Sequence, residues 1–328
     1  MTEAVATEAA VAEFLERGFC VVQAVVDAPE LAAMNAAIDE DRKLRPENWE
    51  LHGPGGSGGW KAHPVPPTRL GDAVDEARRM EIAVGEAGRW QTRENSLLHS
   101  SSSFDCALYA PKILAVVEEL MAGQLLCRGL DAMWRAPVPE AVPAGEPAHH
   151  EMWHREAGGS CDPYAPNMIA MLQVIIYLSD VGPDTHCFSV LPESLEEKRA
   201  LPVRQVDGNR PERSYVVANY DRESAWKTRP AGMPGAVNIY GPAGTAVLLN
   251  NLTWHAATVR QSLEARRTCH VVYSTTHHGQ AALDATSPIP ARLLEHPQHG
   301  WLFSANCGRK EWEAANPTVE IGCRRNRL

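Results

Sequence analysis

The sequence predicts a mainly β fold, in which an antiparallel double-sheet core carries helices packed on its outside. After Gly123 the chain contains short apolar runs bounded by turn residues, as in the strands of a sandwich or barrel. Before Gly123 the apolar residues recur with helical spacing, and no internal repeat is visible. The strand-like runs are LLCRGLDAMW, MIAMLQVIIYL, CFSVL, AVNIY, TAVLLN and TCHVVYS.

The N-terminal part predicts three helices, one strand and one long loop. A helix is expected to end at Gly18, and the β-branched run FCVVQAV that follows is typical of a strand. The glycines of the loop lack the Lys-Ser/Thr ending of a phosphate-binding loop. The expected helices cover residues 6–17, 29–41 and 112–121, the strand residues 19–25, and the loop residues 47–70.

Composition limits the functional classes. The chain has 328 residues and a formal net charge of −10, which disfavours nucleic acid and anionic membranes as partners. No apolar run could span a membrane and the N-terminus is acidic, so we expect a cytoplasmic protein. The residues from about 280 to 328 are expected either to cover the core or to contribute to the interface of a homo-oligomer. We expect one domain over residues 1–328: helical and strand support in 1–123, the β core in 124–276 and a C-terminal extension in 277–328.

Residues 149–156 read HHEMWHRE and contain two metal-binding patterns in overlapping registers. The first pattern, HExxH, comprises His150, Glu151 and His154 and is typical of zinc hydrolases, in which one helix face presents both histidines. Prolines just upstream and two glycines just downstream leave room for a short helix only. The sequence therefore favours the other register, and the zinc hydrolase stays as an alternative.

The second pattern, HxE, comprises His154 and Glu156, which project to the same side of an extended strand. His255, after the strand TAVLLN and a short polar turn, is available as a third ligand. Two histidines and one carboxylate form the facial triad of non-haem iron(II) oxygenases, which leaves positions open for a bidentate cosubstrate and dioxygen. Arg266 can bind a carboxylate through two hydrogen bonds, and 2-oxoglutarate presents such a group.

These residues resemble the phytanoyl-CoA dioxygenase family of iron(II)- and 2-oxoglutarate-dependent oxygenases, from about residue 10 to about residue 275. The resemblance implies that His154, Glu156 and His255 bind iron, and that Arg266 anchors 2-oxoglutarate with Arg135 as a second contact. It also implies a double-stranded β-helix, which is a jelly-roll variant. The matching segments are FLERGFCVVQAVVDAPELAAMNAAIDE, WHRE, IIYLSDVGPDTHCFSVLPES and GTAVLLNNLTWHAATVRQSLEARR.

The implied activity is hydroxylation, or another oxidation such as desaturation or cyclisation, of a small-molecule metabolite with release of succinate and CO2. Family members usually have aspartate where this chain has Glu156, and they often have a hydroxyl residue where it has Ala257. Because the ligand carboxylate is retained, oxidation is favoured over halogenation. A non-catalytic jelly-roll binding protein is a further alternative, and no feature selects the substrate.

Several neighbouring residues are expected to play other roles. His149 and His150 are expected in outer positions, and His186 is expected to be structural rather than catalytic. Arg267 follows Arg266 on a strand and should therefore point to the opposite sheet face. Residues 199–234 are expected to form either a lid or a surface excursion.

Overall fold

The computed structural model describes residues 3–51, 89–121, 125–136, 149–150, 171–192, 235–250, 253, 255–259, 264–275 and 289–303. Within them the strands are β1 Phe19–Val22, β2 Trp49–Leu51, β3 Arg89–Thr92, β4 Leu125–Arg135, β5 His149–His150, β6 Met171–Tyr177, β7 Cys187–Val190, β8 Val237–Ile239, β9 Ala246–Asn250, β10 His255–Val259 and β11 Arg266–Thr275. The α-helices are α1 Glu3–Arg17, α2 Ala28–Leu44, α3 Ser96–Ser100, α4 Asp105–Leu108, α5 Pro111–Leu120 and α6 Ala291–Leu294.

The strands form two antiparallel sheets, as the sequence predicted. The larger sheet has the order β1-β9-β6-β11-β4-β3-β2, and the smaller sheet has the order β5-β10-β7-β8. From β4 to β11 successive strands alternate between the sheets, except that the β7–β8 pair stays in the smaller one. This connectivity is that of a jelly roll, so the predicted double-sheet core is confirmed.

The N-terminal elements extend the larger sheet at both of its edges. Gly18 ends α1 with a positive φ of 76°, which glycine adopts without steric cost, and β1 then pairs with β9. Asp27 and Glu30 form a reciprocal capping box that begins α2. At the other edge β2 pairs with β3 and β3 with β4. The loop predicted for residues 47–70 is therefore wrong at its start, since Trp49–Leu51 form a strand.

The larger sheet has apolar residues on its outer face and a mixed, partly charged inner face. On β11, Cys269, Val271 and Tyr273 belong to the outer core against the helices. Arg266 and His270, at the alternate positions of the same strand, face the interior between the sheets, because side chains alternate along a strand. A smaller apolar cluster fills part of that interior. Its members include Phe19, Ile175, Tyr177, Phe188, Val190, Val247 and Leu249.

The C-terminal residues 289–303 pack onto the outer core. Trp301, Leu302 and Phe303 are buried there, and Arg292 forms an ion pair with Asp105 of α4 at 2.7 Å. This part of the C-terminal extension therefore covers the core, which the sequence left open. The helices predicted over 6–17, 29–41 and 112–121 correspond to α1, α2 and α5, with ends that differ by at most three residues. No helix among the described residues is long and apolar enough to cross a membrane.

Candidate active site

Two guanidinium groups lie opposite each other in the interior between the sheets. Arg266 of β11 is directly cross-strand from Arg135 of β4, and their exposed fractions are 7% and 2%. Arg266 Nη1 donates to the Cys187 carbonyl on β7 at 3.1 Å, so this side chain reaches from one sheet to the other. Like charges opposite each other on adjacent strands repel. The arrangement therefore favours binding of an anion beside the two cations.

Tyr177 forms the wall next to Arg266. Its ring centroid lies 5.8 Å from Arg266 Cζ, and its hydroxyl donates to the Ile239 carbonyl on β8 at 2.9 Å. Burial raises the pKa of the Tyr177 hydroxyl, so the residue stays neutral and retains the proton that it donates. The hydrogen bond links the two sheets and fixes the ring beside the guanidinium.

His255 lies at the start of β10 and is buried, with an exposed fraction of 3%. Its Nδ1 lies 2.9 Å from the Thr253 carbonyl oxygen. Because a carbonyl oxygen only accepts, Nδ1 must carry the proton, and Nε2 of the neutral ring then carries the lone pair. The Thr253 hydroxyl in turn donates to the Gly18 carbonyl at 2.9 Å. A backbone contact that fixes the tautomer in this way is typical of metal-binding histidines.

The strand registers relate His255 to the guanidinium pair. Cys187, which accepts from Arg266, is opposite Thr258 on β10, whereas His255 is opposite Val190. Three residues of strand separate the two levels, which corresponds to roughly 10 Å. The Phe188 ring lies between these levels, with its centroid 5.4 Å from that of His255. His255 and the two guanidinium groups thus occupy different levels along the strands of one buried interior.

The remaining predicted ligands, His154 and Glu156, lie outside the described residues. Immediately before them, His149 and His150 form β5, which pairs with Val259 and Thr258 of β10. In this antiparallel register β5 itself is directed toward the His255 end of β10. Among the residues that the structure describes, no three His, Cys, Asp or Glu side chains group as in a metal site. Two of the three predicted ligands are not among them.

The strand conformation of His150 also bears on the alternative register. HExxH requires His150 and His154 on one helix face, whereas His150 has extended backbone paired with β10. A helix that contains His150 is therefore incompatible with this pairing. The side chains of His149 and His150 lie outside the described residues, so their expected outer positions stay predictions.

Arg267 faces away from the interior between the sheets, and His186 makes a contact with the backbone. Arg267 forms an ion pair with Asp39 of α2 at 2.8 Å, on the outer face of the larger sheet. The expected alternation of Arg266 and Arg267 is thus confirmed. His186 is buried, with Nε2 3.3 Å from the Ala136 carbonyl oxygen, which agrees with the structural role expected for it.

Sequence reasoning missed other polar residues of the interior, namely Asp131, Tyr177, Thr268 and His270. Thr268 and His270 follow Arg266 at two-residue intervals on β11 and therefore share its face. That alternation was visible in the sequence. Asp131 and Tyr177 required knowledge of the strand pairing, which places them opposite His270 and Thr268.

Comparison with known proteins agrees with this architecture. The chain is similar to a non-haem α-ketoglutarate-dependent carbocyclase, SnoK from nogalamycin biosynthesis, with 18% identity, a TM-score of 0.52, and coverage of 90% of this chain and 91% of that chain. It is also similar to the epimerase SnoN in complex with Fe3+, α-ketoglutarate and nogalamycin RO, with 16% identity, a TM-score of 0.53, and coverage of 88% and 97%. These likenesses show the shared fold.

No curated protein sequence matches the chain. The family model of phytanoyl-CoA dioxygenase (PhyH) matches residues 14–268, which is most of the chain. This range includes Arg135 and Arg266, the strands β5 and β7 on either side of β10, and the whole HHEMWHRE stretch. The chain therefore belongs to the phytanoyl-CoA dioxygenase (PhyH) family.

Proposed function

We propose that this protein is an iron(II)- and 2-oxoglutarate-dependent oxygenase that oxidises a small-molecule metabolite with release of succinate and CO2. The observation that carries the proposal is the placement of Arg266 and Arg135 opposite each other, with His255 about 10 Å away along the strands. Anion-binding groups and a possible metal ligand thus share one buried interior. Family membership supports the same activity.

The proposed iron ligands are His154, Glu156 and His255. The Nδ1 hydrogen bond of His255 to the Thr253 carbonyl leaves Nε2 as the nitrogen with the lone pair, as iron requires. The direction of β5, toward the His255 end of β10, supports a contribution from the WHRE segment. Two imidazoles and one carboxylate are the ligand set of the facial triad, so the donor set fits iron(II).

The proposed cosubstrate contacts are Arg266 and Arg135. A dicarboxylate held at the metal by one carboxylate would present its other carboxylate to the end of the interior where both guanidinium groups lie. The Arg266 contact to the Cys187 carbonyl fixes the plane of the guanidinium before the ligand binds. Such preorganisation lowers the entropy cost of binding the far carboxylate with two hydrogen bonds.

When bound, iron(II) and 2-oxoglutarate supply the activation of dioxygen. The protein itself orients the side chains that would hold iron and 2-oxoglutarate, and it excludes water from the interior. The Thr253 carbonyl fixes the His255 ring, and the Tyr177 hydroxyl holds its ring against Arg266. Apolar side chains from both sheets, including Ile175 and Val190, keep the interior water-poor, which strengthens the charge contacts to the cosubstrate.

The reaction type within this class is proposed as hydroxylation, desaturation or cyclisation. Glu156 keeps a carboxylate at the third ligand position, which supports oxidation over halogenation. Structural neighbours include a carbocyclase and an epimerase, so the reactions associated with this fold extend beyond hydroxylation. A small-molecule substrate agrees with the negative charge of the chain and with the nogalamycin-type ligand of one neighbour.

Metal analysis of the purified chain and three variants tests the proposal. We expect one iron(II) per chain, with loss of binding in His255→Ala and in His154→Ala. His150→Ala is the matched control, since His150 belongs only to the HExxH pattern. Zinc binding that is lost in His150→Ala and retained in His255→Ala would instead indicate a zinc hydrolase. Iron binding without any 2-oxoglutarate binding would indicate a non-catalytic relative.

A further inference from the structure

Three polar side chains form a connected array on the inner face of the larger sheet. His270 of β11 has Nδ1 3.5 Å from Asp131 Oδ1 on β4, and its Nε2 lies 3.0 Å from Thr268 Oγ1. Thr268 and His270 are more than nine-tenths buried, and the Asp131 side chain is 19% exposed. The cosubstrate contacts proposed above do not include any of the three.

The array ends beside the proposed carboxylate site. Thr268 is two residues from Arg266 on the same strand face, so the two Cα atoms lie roughly 7 Å apart. Thr268 is also directly opposite Tyr177, whose ring borders the Arg266 guanidinium. The Thr268 hydroxyl is therefore within reach of an anion that Arg266 holds.

The types of the polar groups decide which atom donates and which accepts in each hydrogen bond of the array. A carboxylate only accepts, so a Thr268 hydroxyl that contacts it must donate its proton to it. His270 Nε2 must then donate to Thr268 Oγ1 rather than accept from it. Donation from Nε2 requires a proton on that nitrogen, and the Asp131 carboxylate, 3.5 Å from Nδ1, favours a ring that carries positive charge.

The surroundings agree with this assignment. On β4 and β11 the charged side chains that share the inner face with His270 are Asp131, opposite it, and the pair Arg266 and Arg135, four residues along each strand. From β6, Ile175 is opposite His270 and Tyr177 is opposite Thr268. Burial raises the Tyr177 pKa, so this residue adds no charge near the ring.

We propose that His270, held by Asp131, is a positioning residue that turns the Thr268 hydroxyl toward the carboxylate bound by Arg266. The inference rests on the proposed function, because that carboxylate is the far end of 2-oxoglutarate. Thr268 contacts the cosubstrate, and His270 acts through Thr268. Asp131 acts one step further away, through its negative charge 3.5 Å from Nδ1.

Amide substitutions separate the two contacts of the imidazole. A glutamine amide reaches the position of Nε2 and can donate to Thr268, whereas an asparagine amide reaches the position of Nδ1 and can contact only Asp131. His270→Gln should therefore keep 2-oxoglutarate affinity within about twofold of the parent. His270→Asn should weaken it about tenfold, which is close to the effect of one lost hydrogen bond to a charged group.

The experiment is a titration of the anaerobic, iron-loaded full chain with 2-oxoglutarate, for the parent and for His270→Asn, His270→Gln, Thr268→Val and the double variant Thr268→Val/His270→Asn. If His270 acts through Thr268, both weakened single variants and the double variant should show the same loss. Iron affinity and the thermal midpoint of His270→Gln serve as controls, since a merely structural role would not be rescued by glutamine in this selective way.

The outcomes are distinguishable from failure of the proposed function. If the parent itself does not bind 2-oxoglutarate, the proposed function fails. If the parent binds it and His270→Asn binds it equally well, the positioning role is overturned, and so it is if the losses of the two single variants multiply in the double variant. Should His270→Asn not fold, Thr268→Ser and Thr268→Val still test the contact through which His270 acts: affinity kept by serine and lost by valine supports this contact, and equal affinity in both variants overturns the proposal.

Discussion

Replacement of Arg266 tests the cosubstrate site most specifically. Arg266 is buried, with 7% of the residue exposed, and its guanidinium is held by the Cys187 carbonyl. A bidentate, charge-assisted contact to a carboxylate in such a place contributes about 2 to 4 kcal/mol, or roughly a 30- to 900-fold change in affinity. Arg266→Ala should show a loss of this size. Arg266→Lys should lose less, since lysine supplies the charge without the planar pair of donors.

Arg267→Ala is the matched control, because the same residue type on the next position faces α2. Its ion pair with Asp39 is partly exposed, with 20% and 61% of the two side chains accessible. Removal of this pair should cost at most about 1 kcal/mol of folding stability and should leave 2-oxoglutarate affinity unchanged. Both arginine variants should retain iron, since neither residue is a proposed ligand.

The assay is a titration of anaerobic iron-loaded protein with 2-oxoglutarate, followed by the weak visible charge-transfer band that the family resemblance leads us to expect on chelation. The reasoning is refuted if Arg266→Ala binds 2-oxoglutarate as tightly as the parent. A loss confined to Arg267→Ala would mean that the assigned faces of β11 are exchanged. An unchanged affinity for 2-oxoglutarate in both variants would mean that β11 does not bind the far carboxylate.

Three further predictions concern stability, each measured by urea unfolding. Asp41→Ala should cost about 2 to 4 kcal/mol, because buried Asp41 accepts hydrogen bonds from Trp49 Nε1 and from two other side chains; an effect below about 1 kcal/mol would contradict the contact. Trp301→Ala should lower the free energy of unfolding by about 3 to 5 kcal/mol, because Trp301 belongs to the core. An unchanged free energy of unfolding would contradict the packing of residues 289–303 on the core. Burial raises the Cys127 pKa from 9.0 to about 12, so the folded state keeps the thiol proton at a pH where the unfolded chain loses it. The free energy of unfolding should therefore fall from pH 9 upward, by about 1.4 kcal/mol at pH 10 for this thiol. Cys127→Ala should lose that share of the pH dependence.

The strands with long apolar runs were predictable, whereas short polar strands were not. LLCRGLDAMWR and MLQVIIY carry enough β-branched and aromatic residues to indicate β4 and β6. β2 and β3 read WEL and RWQT, which are too short for a periodic pattern to emerge. They become strands because β4 offers a free edge, which is a tertiary effect. The end of α2 was placed three residues early, since no glycine or proline marks it before Pro46.

In the candidate site, too, features that depend on one strand were predictable, whereas features that depend on strand pairing were not. Strand alternation alone separates Arg266 from Arg267, and the structure agrees. The His270–Asp131 contact could not be foreseen, because the sequence of one strand does not state which strand lies beside it or in which register. The choice between the two HHEMWHRE registers also depends on pairing. The extended backbone of His150 results from its place beside β10, which local sequence does not encode.

Formation of succinate from 2-oxoglutarate tests the central claim most directly. The parent protein, supplied with iron(II), 2-oxoglutarate and dioxygen, should form succinate slowly even before its substrate is known, and removal of iron with a chelator should stop it. His255→Ala should form none, because the metal loses a ligand whose Nδ1 hydrogen bond to Thr253 prepares it for binding. Equal succinate formation by the parent and His255→Ala, or none by the parent at any iron concentration, would contradict the account.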